Sequence, residues 1–231
     1  MSGLRARVRA ELLAEIKRLA RDQMREHGPA SLSLRAIARD LGMASSAIYR
    51  YFASRDDLLT ALIIDAYDDL GERAEAADAP FARTDVDGRF RAVTHAAYEW
   101  ARAEPAQYGL IFGTPVPGYA APEDTIGPAT RYSQVLVGIL ADGLAVGRRP
   151  TRVPHISPSV GTDLTALELR TGIHLDPAVM LLGIHVWTSL FGTITFLLYG
   201  HLHNVVVDDD AFFADIVDHL AAEILAEPTS T

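Results

Sequence analysis

The sequence predicts an all-α protein with a short N-terminal helical module and a larger helical body. Apolar residues recur every three to five positions through most of the 231 residues, as they do on one face of a helix. Capping residues, glycines and prolines separate these periodic segments. We find no segment that reads convincingly as a strand, and no internal repeat. The composition, 49% hydrophobic and 22% charged, is ordinary for a globular protein.

Four helices are predicted in the first 70 residues. Gly28-Pro29 ends the first helix, and Gly42 ends the second, which Ser33 caps. Ser54 and Asp57 form a capping-box-like start for the fourth. The predicted bounds are Leu4–His27, Leu34–Leu41, Ala44 or Ser45 to Tyr51 or Phe52, and Ser54 to about Leu70.

The body is predicted to contain six further helices. Residues 71–88 are interpreted as a frayed helix end followed by a loop, and the regions 113–128 and 148–163, which are rich in Gly and Pro, as loops. Asp176-Pro177 is a strong helix start. The predicted helices are Gly88–Ala103, Pro105–Phe112, Ala129–Gly147, Leu164–Thr171, a long helix after Asp176, and Asp209–Ala226.

The long helix lies in a stretch of 31 residues between Asp176 and Asp208 that contains no Asp, Glu, Lys or Arg. Its centre, Val179 to Tyr199, is long enough to cross a bilayer. It also carries His, Trp, Ser and Thr, and its ends lack the basic residues that usually anchor a membrane span. We therefore expect a helix buried in a core or a subunit interface of a soluble, cytoplasmic protein with no membrane partner.

The formal net charge of −9 is unevenly distributed. Residues 1–60 contain 11 Lys and Arg against 7 Asp and Glu, a net of +4, whereas the remainder contains 10 against 23, a net of −13. This asymmetry indicates a basic module that can meet phosphate and an acidic body that phosphate repels. The absence of cysteine excludes disulfides, thiolate metal sites and a cysteine nucleophile.

Residues 33–59 have the spacing of a helix-turn-helix unit. Ala38 allows two helices to cross closely, Gly42 adopts positive φ at the turn, and Ile48 packs back onto the first helix. The small core is completed by Ile37, Leu41, Met43 and Tyr51 or Phe52. The second helix then presents an outer face that can enter a DNA major groove, formed by Ser45, Ser46, Tyr49 and Arg50.

These residues resemble the N-terminal pattern of the TetR family of bacterial transcription regulators, over roughly residues 9–69. The matching motifs are Gly28, Ser33, Ile37-Ala38, Gly42, Tyr49-x-x-Phe52 and Ser54-Arg55-x-x-Leu58. Arg55 stands where the family usually has Lys, and it keeps the charge. The resemblance implies a helix-turn-helix DNA-binding domain at 9–69 and a helical ligand-binding and dimerisation domain at 80–227.

The resemblance also implies roles for individual residues. Ser33, Arg35 and Arg55 would contact the DNA backbone, and Tyr49 would bind a phosphate through its hydroxyl. Arg50 would read guanine or hold a phosphate. Ala44, Ser45 and Ser46 would approach base edges. Because these three side chains are short, binding would depend on phosphate contacts and DNA shape.

The body's last two helices are expected to form an antiparallel pair. Two such pairs, from about 176–202 and 209–226 of each chain, would make a four-helix dimer interface. A twofold dimer would present two recognition helices about 34 Å apart to a palindromic operator. Residues 104–125 and 199–213 resemble the Trp-His-Gly subgroup of the family, although Phe191 stands where that subgroup has His.

Bodies of this family usually enclose an effector pocket, and here an apolar or aromatic effector with few charges is expected. The predicted ligand contacts are Tyr108, Phe112, Trp187 and Phe191, drawn from a wider set of aromatic candidates that also includes Tyr98, Trp100, Tyr119 and Phe196. His185 is expected to face this region as a core residue.

The preferred function is a dimeric repressor that a small molecule releases from its operator. No catalytic constellation stands out, so we expect no enzyme activity and no cofactor. His201-x-His203 with Asp208–Asp210 is a weak chelating pattern, since His residues two apart on a helix diverge, and no metal site is predicted. A transcriptional activator or a metal-responsive regulator on the same scaffold remains an alternative.

Overall fold

The computed structural model describes residues 2–171 and 175–226, and this part of the chain is helical, as the sequence predicts. Its only β pairing is an isolated bridge between Arg149 and Ala226 in the described residues. The helices are α1 Ser2–His27, α2 Leu34–Asp40, α3 Arg55–Asp78, α4 Val86–Ala103, α5 Pro105–Phe112, α6 Ile126–Ala145, α7 Pro158–Thr171, α8 Pro177–Leu198 and α9 Asp209–Ile224.

The chain forms two compact units. The N-terminal unit contains the residues up to Asp69 together with Ala103–Ala129, and the C-terminal unit contains Leu70–Arg102 and the described residues from Thr130 onward. Residues 103–129 group with the N-terminal unit because Val116 enters its core and Tyr119 hydrogen-bonds Thr60 at 2.9 Å. The division into functional domains at 9–69 and 80–227 remains a prediction.

The core of the N-terminal unit is the one that the helix-turn-helix spacing predicts. Ile37, Ala38 and Ile48 are completely buried, and Phe52 is nearly so. Leu41, Met43 and Tyr51 are partly buried against them. Gly42 has φ +64°, and the Met43 N–H donates to the Ala38 carbonyl at 2.8 Å, so the glycine closes the turn after α2.

The predicted third helix is not an α-helix. Ser45–Ala47 form turns, and a single 3₁₀ turn covers Ile48–Arg50. The N–H groups of Ala47, Arg50 and Tyr51 each donate to the carbonyl three residues earlier. Adjacent serines favour turns over helix, and a segment this short gains little from helix propagation. The core contact of Ile48 therefore holds the segment more than its own helicity does.

The helix boundary predicted near residue 71 is wrong, because α3 continues to Asp78. Interactions distant in sequence stabilise the extra turns. Arg131 of α6 binds Glu75, and the buried Arg89 of α4 binds Asp78. The connection to α4 is correspondingly short, with Asp85 accepting the Gly88 N–H at its start.

Several other boundaries also differ from prediction by two or more residues, among them the three that follow. The helix α6 begins at Ile126, before the predicted Ala129, directly after a 3₁₀ turn at Glu123–Thr125. The helix α7 begins at Pro158, where the fixed φ of proline suits the first helical position. The last helix ends at Ile224, before the predicted Ala226, and Ala226 forms the isolated bridge with Arg149.

The last two helices pack against each other as predicted. Asp176 and Asp208 cap α8 and α9, accepting the N–H groups of Ala178 and Ala211. His185 near the start of α8 lies 3.8 Å from Glu223 near the end of α9, so the pair is antiparallel. The expectation that His185 faces a core is wrong, because its side chain is 53% exposed.

Candidate functional site

The helix-turn-helix surface begins at the N-terminus of α2. The Ser33 hydroxyl accepts the Ala36 N–H at 3.4 Å, and the Ser33 N–H donates to Gln23 of α1 at 3.2 Å. These bonds hold the start of α2 against α1, with the Arg35 side chain exposed in the first turn. Free N–H groups and a cation at a helix N-terminus attract phosphate.

The predicted outer face lies outside in the structure. Ala44, Ser45, Ser46 and Arg50 are exposed, and Tyr49 is 43% exposed even though the neighbouring Ile48 is fully buried. Within the described residues the Tyr49 hydroxyl has no hydrogen-bond partner. Ile48 thus anchors the segment from inside and leaves the polar side chains free to meet a ligand outside.

Charge pairing divides the basic side chains of this unit into two groups. Seven of them lie 2.7–3.8 Å from a carboxylate, namely Arg7, Lys17, Arg18, Arg21, Arg25, Arg39 and Arg55. Among the described residues, four arginines of the unit have no acidic partner, namely Arg5, Arg9, Arg35 and Arg50. Unpaired cations on one module of an acidic protein are the electrostatic signature of phosphate binding.

Arg9 is a candidate that the sequence analysis missed. Its guanidinium lies 5.2 Å from the centre of the Tyr51 ring and donates to the Arg50 carbonyl at 3.5 Å. The start of α1 therefore brings a second cation beside Arg50. Arg5, one helical turn earlier, extends the same basic helix, and the run of arginines at 5, 7 and 9 was the signal available in the sequence.

Arg55 has a structural role within the N-terminal unit. Its Nη2 donates to the carbonyls of Pro29 and Ala30 at 3.3 and 3.0 Å, and its side chain is 31% exposed. It thereby ties the start of α3 to the turn between α1 and α2. Contact with the DNA backbone stays a prediction for this residue, and it would use the nitrogens that these carbonyls do not occupy.

The predicted effector residues form two aromatic pairs, one in each unit. Tyr108 and Phe112 of α5 have ring centres 5.2 Å apart in the N-terminal unit, and Tyr108 is fully buried. Trp187 and Phe191 of α8 have ring centres 5.6 Å apart in the C-terminal unit. Phe191 also meets the buried Tyr132 of α6 edge to face at 5.3 Å.

The comparisons with known proteins agree with this geometry. Residues 16–62 match the family model of bacterial regulatory proteins of the tetR family, and residues 90–220 match that of the tetracyclin repressor-like C-terminal domain. The second match alone spans more than half of the chain. The chain belongs to the TetR family.

Relatives of this TetR-family chain are named as regulators. HTH-type transcriptional regulators of Mycobacterium tuberculosis and Mycobacterium bovis are 35% identical to it over 226 residues, which is 97% of each chain. The crystal structure of the regulatory protein SCO4313 is 32% identical and has a TM-score of 0.77, covering 93% of this chain and 97% of that one.

A TetR-family regulator from Thermus thermophilus, PfmR, shares the fold at 18% identity and a TM-score of 0.59, covering 89% of this chain and 96% of that one. The match to the tetR family model and the 35% identity to named transcriptional regulators show that the protein is a DNA-binding transcriptional regulator, as the sequence predicts. Regulators of this family bind operator DNA and function as dimers. Membership of the Trp-His-Gly subgroup stays a prediction.

Two further predictions for this TetR-family chain concern metals and membranes. Among the described residues, no three His, Asp or Glu side chains are grouped so that they could hold a metal ion. The helix α8 is long and apolar enough to cross a bilayer, by length and composition. Only 33% of the most apolar stretch of α8 is buried inside the chain. Most of this uncharged helix is therefore not covered by the rest of the chain.

Proposed function

We propose that this TetR-family regulator is a homodimeric repressor, released from a palindromic operator by a small apolar or aromatic molecule. The observation that carries the proposal is the exposed face of α8. Its residues recur at helical spacing without a single charge: Ile184, Thr188, Gly192 and Phe196, continued by Tyr199 just after the helix end. The side chains of Ile184, Phe196 and Tyr199 are 37%, 53% and 47% exposed.

Packing this exposed face against a second copy of the chain is more favourable than leaving it exposed to water. Burial of apolar surface stabilises an assembly by about 25 cal/mol per Å², and an apolar stripe of this length is typical of an interface. Antiparallel α8 and α9 from two chains make a four-helix interface. The twofold axis then presents two helix-turn-helix units to the two halves of a palindrome.

The oligomeric state of the protein in solution is the first test of this proposal. Sedimentation of the purified protein at micromolar concentration should give a dimer, and a monomer would contradict the assigned interface. Genome-wide mapping of bound DNA should recover a palindromic sequence. A reporter under that sequence separates repression from activation, because deletion of the regulator raises expression only if it represses.

Effector release follows the reciprocal rule of allosteric coupling. A molecule that binds the C-terminal unit more tightly when the protein is off DNA lowers the affinity for DNA by the same factor. The acidic body supports a neutral, apolar effector over an anion. We place the regulator in the cytoplasm, with the bacterial DNA that it binds, and assign it no enzyme activity.

The unpaired arginines give a prediction about salt. Each phosphate contact that is lost should reduce the slope of log affinity against log salt by about 0.9. We therefore expect the variants Arg35→Ala and Arg50→Ala to bind the mapped operator with shallower slopes in a fluorescence-anisotropy titration. The matched control is Arg18→Ala, because Arg18 is bound to Glu15 and Asp22 in the free protein.

A second variant tests a phosphate contact that involves no charge on the protein, the hydroxyl of Tyr49. Tyr49→Phe should weaken operator binding about tenfold, as expected for losing a hydrogen bond of about 1.5 kcal/mol to a charged group, and should leave the salt slope unchanged. Equal losses for Arg18→Ala and Arg50→Ala, or full affinity in Tyr49→Phe, would place the DNA-binding face elsewhere.

A further inference from the structure

One buried polar atom in the C-terminal unit, the hydroxyl oxygen of Tyr132, has no hydrogen-bond partner within the described part of the chain. Tyr132 of α6 is 3% exposed, and its hydroxyl is buried with no hydrogen-bond partner. It is the one such side-chain atom found among the described residues. Buried polar groups are nearly always paired, because an unpaired one forfeits its bonds to water without replacement.

The ring of Tyr132 lies among aromatic side chains of α8. The Tyr132 ring meets Phe191, and Phe191 in turn meets Trp187, so α8 presents aromatic carbon to it. The two hydroxyls of α8 that follow Phe191 in sequence donate within their own helix, Thr193 to the Ser189 carbonyl and Thr195 to the Phe191 carbonyl. An unsatisfied donor beside two aromatic side chains is the composition of a small-molecule site.

We propose that Tyr132 is the polar anchor of the effector site, which takes an uncharged aromatic molecule carrying one oxygen acceptor. The aromatic part packs against Phe191 and Trp187, and the oxygen accepts the hydrogen bond that Tyr132 cannot make within the chain. This assignment rests on the proposed effector-released repressor and names the chemical class of that effector.

The chemistry of the site favours a neutral acceptor over an anion. Burial raises the pKa of the Tyr132 phenol, so that the hydroxyl stays protonated and is available to donate. A carboxylate bound at the same place would lose its hydration and would gain no cation in return, because the neighbouring Arg131 binds Glu75 and Glu72. Burying such an unpaired charge is unfavourable. Ketones, ethers and neutral alcohols meet the requirement.

The first test is the stability of the full-length protein without additives. Tyr132→Phe removes an unsatisfied hydroxyl and should raise the midpoint of thermal unfolding. The matched control is Tyr98→Phe, since the Tyr98 hydroxyl donates to Asp210 at 3.1 Å and its removal should not raise that midpoint. A midpoint in Tyr132→Phe equal to or below that of the unsubstituted protein would overturn the proposal, because the hydroxyl would then have a partner.

The second test compares two probes of similar shape, acetophenone and ethylbenzene, by NMR titration. A purely apolar site prefers the hydrocarbon, whereas an unsatisfied donor prefers the ketone. We expect the unsubstituted protein to bind acetophenone at least fivefold more tightly than ethylbenzene, and Tyr132→Phe to lose that preference while Tyr98→Phe keeps it. A preference that persists in Tyr132→Phe, equal binding of the two probes, or binding of neither would overturn the anchor.

The outcome for the anchor is separable from that for the proposed function. Acetophenone binding with the expected preference establishes the anchor whether or not DNA is present. A parallel titration of the mapped operator then asks whether the same concentration of acetophenone weakens DNA binding. Unchanged operator affinity in that titration contradicts effector release and not the anchor.

Discussion

Gly192→Glu is expected to convert the dimer into a monomer and to weaken operator binding at least about 100-fold. Gly192 lies at the centre of the exposed face of α8, and a Cβ placed there meets no atom within 4 Å. The new side chain therefore fits the folded chain without a clash. In the dimer it would bury a carboxylate with no cation on the facing helices, at a cost of about 3 kcal/mol or more.

The measurement is sedimentation equilibrium together with operator binding on the same preparation. The matched control is Ala141→Glu, which adds the same charge at an exposed position of α6. Circular dichroism should show unchanged helix content in both variants, since glycine is a poorer helix former than glutamate. A Gly192→Glu protein that remains dimeric at micromolar concentration would remove the α8 face from the interface.

Arg89→Met is expected to lower the free energy of unfolding by about 3 kcal/mol. The Arg89 side chain is 1% exposed and joins three helices. Its guanidinium donates to Asp78 of α3 at 2.7 Å, to Asp142 of α6 at 2.6 Å and to the Arg83 carbonyl at 3.1 Å. Methionine fills much of the same volume but leaves Asp78 without its cation, and leaves Asp142 with only the exposed Arg83, 3.3 Å away.

The estimate lies at the lower end of the range for breaking a buried pair, because Asp78 and Asp142 are 19% and 31% exposed and regain some water. The control is Arg91→Met on the same helix. Arg91 binds Asp218 at a similar 2.6 Å, but its side chain is 47% exposed, and its loss should cost less than about 1 kcal/mol. If urea unfolding gave equal losses of unfolding free energy for Arg89→Met and Arg91→Met, burial would not determine the strength of these ion pairs.

The fold was largely predictable because its helices are encoded by local signals. The spacing of Ala38, Gly42 and Ile48 gave the correct small core, and Asp176-Pro177 gave the correct start of α8. Predictions failed where distant contacts outweigh local propensity. The helix α3 runs to Asp78 because Arg89 and Arg131 bind its last turns, and a residue-by-residue pattern does not contain those bonds.

The candidate sites show the same division. The outer face of the helix-turn-helix was predictable, since burying Ile48 forces its neighbours outward. Arg9 was not predicted, because only the packing of α1 shows that it reaches the Arg50 carbonyl. Tyr132 was not predicted either, since any tyrosine in a helical body is expected to find a partner for its hydroxyl.

By itself, the sequence determined that this protein is a helical regulator with a basic DNA-binding module, an acidic body and one long helix without charge. The helices, the charge asymmetry and the uncharged helix depend on spacing and composition, which are local or additive, and the regulator follows from the motifs that resemble the family. The tertiary structure alone decided which arginines are neutralised by carboxylates, which face of α8 stays exposed and which buried hydroxyl is left unpaired. Pairing and burial depend on residues far apart in the chain, and only the folded chain brings them together.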